Sequence, residues 1–485
     1  MRNSEWRPNP EADTPVYKQI IAYIKEKIAH GEWPIGFRIP TERALAEQLG
    51  VNRSTVTAAF AELAAEGLIQ GKRGSGTRVI NNTWMLLASA KPPDWHAYVQ
   101  SGVYRPNLSM IQRINEEEFV PGIIRLGTGE IAPDMFPSSM MKEVLARTAK
   151  RIKSFGYEEP QGLYELRQAV CRHVASLGIQ TSPSSVLIVS GALQALHLIS
   201  VGLLPQGAAV LLEKPSYLYS VRVFQSAGIQ LFGMPEMNAP GPVDTTLSHY
   251  KKKSGALLLY TIPSFHNPTG RLMEEETRKQ LLTACERERL PVIEDDVYGE
   301  LWLDEQPPAP LKAGDKNGLV LYMGSLSKTL SPGLRIGWLI GPEPVIRRLA
   351  DIKMQTDYGS SSLSQSVAYE WLSSGLYEEH VMQVRDKLRM RREQAVGALS
   401  RHMKGLAEWD IPGGGFYIWL RLIPDVSMPR LFDKALRQGI LLNPGTIYHP
   451  EERHHIRLSY AYASPQELEE GIHRLSLLVK ELKTI

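Results

Sequence analysis

The chain has 485 residues, too many for one ordinary domain, and its 43% hydrophobic and 22% charged residues mark it as globular. A net charge of +3 excludes bulk electrostatics as the means of holding nucleic acid or membrane, so any DNA contact must come from a local patch. The two cysteines, Cys171 and Cys285, are far apart, the start is polar, and no apolar run reaches about 18 residues. These features argue against a disulfide framework, a signal peptide and a membrane span, and point to the cytoplasm.

The first 80 residues read as three helices and a hairpin. After the start signal Thr14-Pro15, Val16, Ile20, Ile21, Ile24 and Ile28 recur at helical spacing, and Gly31 and Pro34 end the run. Thr41 caps a second helix that buries Leu45 and Leu49 and stops at Gly50. Asn52 caps a third, with Val56, Phe60 and Leu63 on one face, running to about Gly67. Leu68-Ile69 and Thr77–Val79 alternate like strands around a turn rich in glycine, Gly71 to Gly76. This is the pattern of a winged helix-turn-helix, mainly α with a β-hairpin wing. The third helix would present Asn52, Arg53, Ser54, Thr55 and Thr57 to the major groove, while Lys72, Arg73 and Arg78 sit on the wing. A packing module with merely solvated basic residues has the same spacing.

Residues 81–105 lack sustained periodicity and contain Pro92-Pro93, so they read as a linker, although Trp84 and Trp95 are unusual in a free tether. From 106 to 485, β-rich runs alternate with amphipathic helices. The runs at 186–189, 209–212, 256–260, 291–293 and 319–322 predict an α/β unit with a mostly parallel sheet.

Several segments of this body carry chemistry. Gly324 to Gly337 sets one amine, Lys328, among Ser325 and Ser327, with Arg335 seven positions on. That set suits a Schiff base to pyridoxal 5'-phosphate (PLP) with its phosphate held by hydroxyls and a cation; a surface loop with a solvated lysine is the plainer alternative. Ile293-Glu294-Asp295-Asp296-Val297-Tyr298 is a strand ending in acids. Asp295 suits the pyridine nitrogen, and Tyr298 and Asn267 suit the ring hydroxyl. A solvated strand end is the alternative, and nothing nearby is spaced for a metal. Ser190-Gly191-Ala192-Leu193 opens a helix whose free N–H groups can cradle phosphate. Tyr217 can stack on the ring or sit in the core. Arg457 lies inside an apolar strand, where it needs an anionic partner: a ligand carboxylate, or a structural salt bridge.

Three resemblances follow from these segments. Gly36 to Ala46, Leu49 to Val56 and Glu66 to Ile69 closely resemble the GntR family of regulators. In that family the positions of Arg38, Arg43 and Arg53 contact DNA, and Asn52 stands where Ser is common. The body motifs, in this order, resemble fold-type I aminotransferases. That resemblance implies Lys328 as the Schiff-base lysine, Asp295 as the ring-nitrogen partner and Arg457 as the carboxylate clamp. It also implies that Tyr157, in Gly156 to Leu163, reaches the partner's cofactor phosphate in a homodimer. The fusion resembles the MocR (GabR-like) subfamily. It implies a PLP-dependent transcription regulator, with an amino-acid effector and an operator of repeated or inverted half-sites. A working aminotransferase with an appended DNA reader is the alternative.

Overall fold

The computed structural model describes residues 6–72, 76–81, 93–102, 104, 106–154, 156–237 and 241–483. Arg73 and Trp84 lie outside them. The chain divides into two compact units, residues 1–104 and 105–485.

In the first unit, helices Val16–Ala29, Glu42–Leu49 and Arg53–Ala65 form, and Ile69–Lys72 pairs antiparallel with Gly76–Val79. The apolar stripes of all three helices meet in one core with Ile69 and Val79 of the hairpin. Thr41 accepts a hydrogen bond from Ala44 N at 3.2 Å, and Asn52 accepts one from Ser54 N at 3.1 Å. Both capping residues thus satisfy orphan amides of the two helices that form the reading motif. Gly50, at φ 68, makes the left-handed turn between them. The segment read as a linker contains a short helix, Trp95–Ser101, capped by Asp94. Its Trp95, Tyr98 and Val99 are exposed, so no buried apolar stripe announces this helix in the sequence.

In the second unit, seven strands form one sheet. Their order is Val186–Val189, Gly337–Ile340, Val320–Ser325, Val292–Asp295, Leu258–Thr261, Ala209–Glu213 and Gln230–Met234. All neighbours are parallel except around Gly337–Ile340, which runs antiparallel to both of its partners. That strand and Gln230–Met234 are absent from the sequence reading. Most strands of the sheet are buried on both faces, as parallel sheets with helices on each side require. The C-terminal part adds a four-stranded sheet that contains Tyr417–Leu422 and His455–Ser459. No helix among the described residues is long and apolar enough to cross a membrane.

The parallel strands present their C-terminal ends to one edge, where open α/β sheets bind ligands. Asp295 ends one of these strands, and Lys328 follows the end of the next.

Candidate cofactor cavity and DNA-reading surface

A cavity of about 380 Å³ opens at that edge, and its wall includes Lys328, Asp295, Asn267, Tyr298, Tyr217 and Arg457. Ala192, Leu193, Ser325, Ser327 and Arg335 line it as well. Residues read from segments more than 250 positions apart therefore converge on one volume.

The acidic strand end is not solvated. Glu294, Asp295 and Asp296 are all buried. Strand alternation divides them: Glu294 turns from Asp295 and accepts the amides of Leu311 and Lys312 at 2.7 and 2.9 Å. Asp295 Oδ2 accepts the Tyr260 hydroxyl at 2.7 Å, whereas Oδ1 is buried with no partner. Burial pushes the Asp295 carboxyl up to about 6, against the pull of the Tyr260 hydroxyl, the Val297 backbone amide and Lys328. An orphaned carboxylate oxygen on the cavity wall suits a protonated ring nitrogen.

Lys328 follows Ser325, whose Oγ caps the short helix Leu326–Thr329 by accepting Ser327 N at 3.1 Å. Its Nζ donates to the Gly129 carbonyl. Arg335 is folded over the neighbouring loop: it sits at φ 53 and donates from Nη2 to the Ser190 carbonyl at 2.8 Å. Gly191, at φ 83, leaves room for that guanidinium, since a Cβ there would lie 2.4 Å from Nη2. Backbone amides at the start of helix Ala192–Gly202, two serine hydroxyls and one guanidinium thus face one corner, a donor set matched to a phosphate. The donor set as a whole fits PLP.

Arg457 is 6% exposed. It donates to Asn267 Oδ1 at 2.8 Å and to the Gly127 carbonyl at 2.6 Å, and its Nε has no partner. Tyr417 and Tyr448 stack on the guanidinium at 4.0 and 4.9 Å. Among the described residues no carboxylate forms an ion pair with it. The plainer sequence reading, a structural salt bridge, is therefore not what the fold contains. A buried cation with only neutral partners among the described residues favours the approach of an anion.

Tyr157 does not reach the cavity of its own chain. It is 82% exposed and meets Tyr358 edge-on, at 4.8 Å.

The sequence reading missed Tyr417, Tyr260, Glu118, Thr128, Gly129 and Glu130. Tyr417 bonds Tyr298 at 2.9 Å, which in turn lies 3.5 Å from Asn267 Nδ2. The glycine run Gly413-Gly414-Gly415 before Phe416-Tyr417 was the available signal. A Cβ at Gly129 would fall 2.6 Å from the Tyr417 hydroxyl, so the close approach demands glycine.

On the first unit, Arg38, Thr41, Arg43, Asn52, Arg53, Ser54 and Lys72 are exposed, while Thr55 is half-buried. Glu42 holds Arg53 at 3.2 Å and accepts the Thr57 hydroxyl at 2.9 Å. Arg43 lies 3.8 Å from Glu47, both in solvent. Arg78, read as a wing cation, is instead half-buried and donates to the Gly36 carbonyl at 2.7 Å, bracing the wing's base.

Residues 121–475 match the family described as aminotransferase class I and II, and residues 16–79 match bacterial regulatory proteins of the gntR family. The chain is 54% identical over 468 residues to an uncharacterized HTH-type transcriptional regulator, YdfD of Bacillus subtilis, covering 96% of this chain and 97% of that one. It is 35% identical to the HTH-type transcriptional regulator NorG of Staphylococcus aureus, covering 92% and 100%. Among solved structures it resembles the kynurenine aminotransferase of Pyrococcus horikoshii, with a TM-score of 0.73, 29% identity and coverage of 78% and 96%. The Thermus thermophilus α-aminoadipate aminotransferase LysN, solved with a phosphopyridoxyl-leucine, gives 0.72, 30%, 80% and 99%.

Proposed function

The chain belongs to the MocR-type transcription regulators, which join a gntR-family head to a class I and II aminotransferase body that uses PLP, and we propose that its body reports an amino-acid effector to the operator. The observation that carries this reading is Arg457, a buried guanidinium with no carboxylate partner among the described residues, set in the same cavity as Lys328.

Bound PLP supplies an aldehyde carbon that reacts with amines and a pyridine ring that withdraws electrons. Lys328 provides the amine that holds it. Asp295 keeps the proton on the ring nitrogen, and Asn267 and Tyr298 orient the ring hydroxyl. Tyr217 covers the ring face. Gly191, Ala192, Leu193, Ser325, Ser327 and Arg335 hold the phosphate, and Tyr157 of the partner subunit completes its exposed side. Arg457 takes the effector's carboxylate on its planar fork.

The body acts on a head in which Arg38, Arg43, Arg53 and Lys72 neutralise phosphates. Arg73 belongs with them, and Thr41, Asn52, Ser54 and Thr55 fix the reading helix. A ligand that favours one state of the body shifts operator affinity by about 1–3 kcal/mol, several-fold to a hundredfold, and needs no turnover. The setting is the cytoplasm, and residues 81–105 join the two parts.

Operator binding of the PLP-loaded protein, titrated with amino acids, tests the reading. The wild type responds; Arg457→Lys keeps PLP and basal DNA binding and loses the response. Steady-state amino transfer at ordinary enzyme rates, with operator affinity indifferent to amino acids, would replace it with a working aminotransferase.

A further inference from the structure

A second cavity, of about 580 Å³, opens in the body and shares no lining residue with the first. Asp296, Ser264 and Glu300 line its inner part, and Pro307, Pro308 and Met382 lie toward solvent. Asp296 is 8% exposed. Its Oδ2 accepts the Tyr322 hydroxyl at 3.1 Å, and its Oδ1 is buried without a partner.

The cations nearby do not fill this need. Arg278 attracts Asp296, and the Ser264 hydroxyl also favours its charged form. Yet Arg278 has committed its N–H groups to the carbonyls of Met273, Pro263, Pro308 and Ala309 and to Ser264 Oγ. Arg385 donates to the Glu300 carbonyl at 2.7 Å and stacks on Trp302 at 4.0 Å. Glu300 Oε2 accepts the Tyr377 hydroxyl at 2.7 Å and lies 3.3 Å from His173 Nε2. Apart from the Ser264 hydroxyl, which favours its charge, Asp296 Oδ1 has no hydrogen-bond donor among the described residues, and the residue lines this cavity.

We propose that this cavity is a second ligand site, which takes an organic ammonium whose N–H meets Asp296 Oδ1 and whose apolar substituent lies against the prolines and Met382. The site is built on the frame of the first. Asp296 follows Asp295 on the same strand end, and the Tyr377 hydroxyl lies 2.9 Å from Thr329 Oγ1, beside Lys328. The inference does not depend on the operator reading or on Arg457.

N,N-dimethylbenzylammonium is a suitable probe. It carries one N–H, and as a tertiary amine it cannot condense with an aldehyde, so it does not react in the Lys328 cavity. Calorimetric titration of the full-length, PLP-loaded protein should show saturable binding at one site. Asp296→Asn should weaken it by roughly tenfold or more, the loss of one charge-assisted hydrogen bond. Met382 is 56% exposed, so Met382→Arg should fold normally and abolish binding by setting a cation at the mouth. It decides the matter if Asp296→Asn does not fold. No saturable binding to the wild type, or unchanged affinity in either folded variant, overturns the proposal.

Discussion

Asp295 illustrates how burial holds a single carboxyl at a disadvantage in the folded chain. Its carboxyl is buried with one oxygen unserved, and its folded value of about 6 stands above the ordinary carboxylate value of 3.8. Between those values the folded chain keeps a proton that the unfolded chain has released. The raised value therefore favours folding at low pH, and the cost of the bare charge grows as pH rises toward about 6. Asp295→Asn removes that cost. Cofactor-free Asp295→Asn should be more stable than the wild type at about pH 8, by about 2–3 kcal/mol, with the advantage shrinking toward about pH 4. Urea unfolding across that range measures it; an advantage that does not vary with pH would assign it to something other than the charge. The same variant should release PLP more readily, because the ring nitrogen loses its partner.

At the level of elements, the head depends on two caps and one ion pair. Thr41 and Asn52 each satisfy an amide at a helix start, and Thr41→Ala or Asn52→Ala should cost the head about 1 kcal/mol, read as a lower melting temperature of the first unit. A loss well below that in both would show the caps to be replaced by water. Arg43 and Arg53 occupy exposed positions on the capped helices. Arg43→Ala and Arg53→Ala should each weaken operator binding and reduce the slope of log affinity against log salt by about 1. Glu42 lies 3.2 Å from Arg53, so part of the Arg53 charge is already neutralised in the free protein. Its effect should be the smaller of the two, and equal affinity in both variants and the wild type would displace the recognition helix.

Across the molecule, Arg335 on the cavity wall is exposed, and Tyr157 stands out in solvent. We propose a two-fold homodimer in which Tyr157 of the partner subunit closes that wall and two heads serve paired half-sites. Sedimentation of the PLP-loaded protein at micromolar concentration should give a dimer. Tyr157→Phe should leave the dimer intact and weaken PLP retention by several-fold, the effect of one hydrogen bond. A monomer with PLP bound would contradict the arrangement.

Local chemistry made much of this readable before any fold was known. The head was legible because its helices carry their own stripes and caps. Lys328, Ser325, Ser327 and Arg335 could be read together because they share one short segment, and the fold sets all four on one cavity wall. Asp295 was legible as a residue, yet its isolation from Asp296 was not, because strand alternation sends neighbours to opposite sides of a sheet. Tyr260 and Glu118 went unseen, since nothing near them in the chain sets them apart from core or surface residues, and Tyr417 went unseen although the glycine run before it was a signal. The antiparallel strand Gly337–Ile340 was hidden for the same reason: strand direction follows from the path of the chain, not from residue type. Arg78 looked like a free wing cation until folding set it against the Gly36 carbonyl. Residue types and their spacing specify some of the groups a site will contain. Which oxygen is left without a donor, and which cation without an anion, depends on distances between residues far apart in sequence, and those exist only once the chain has closed on itself.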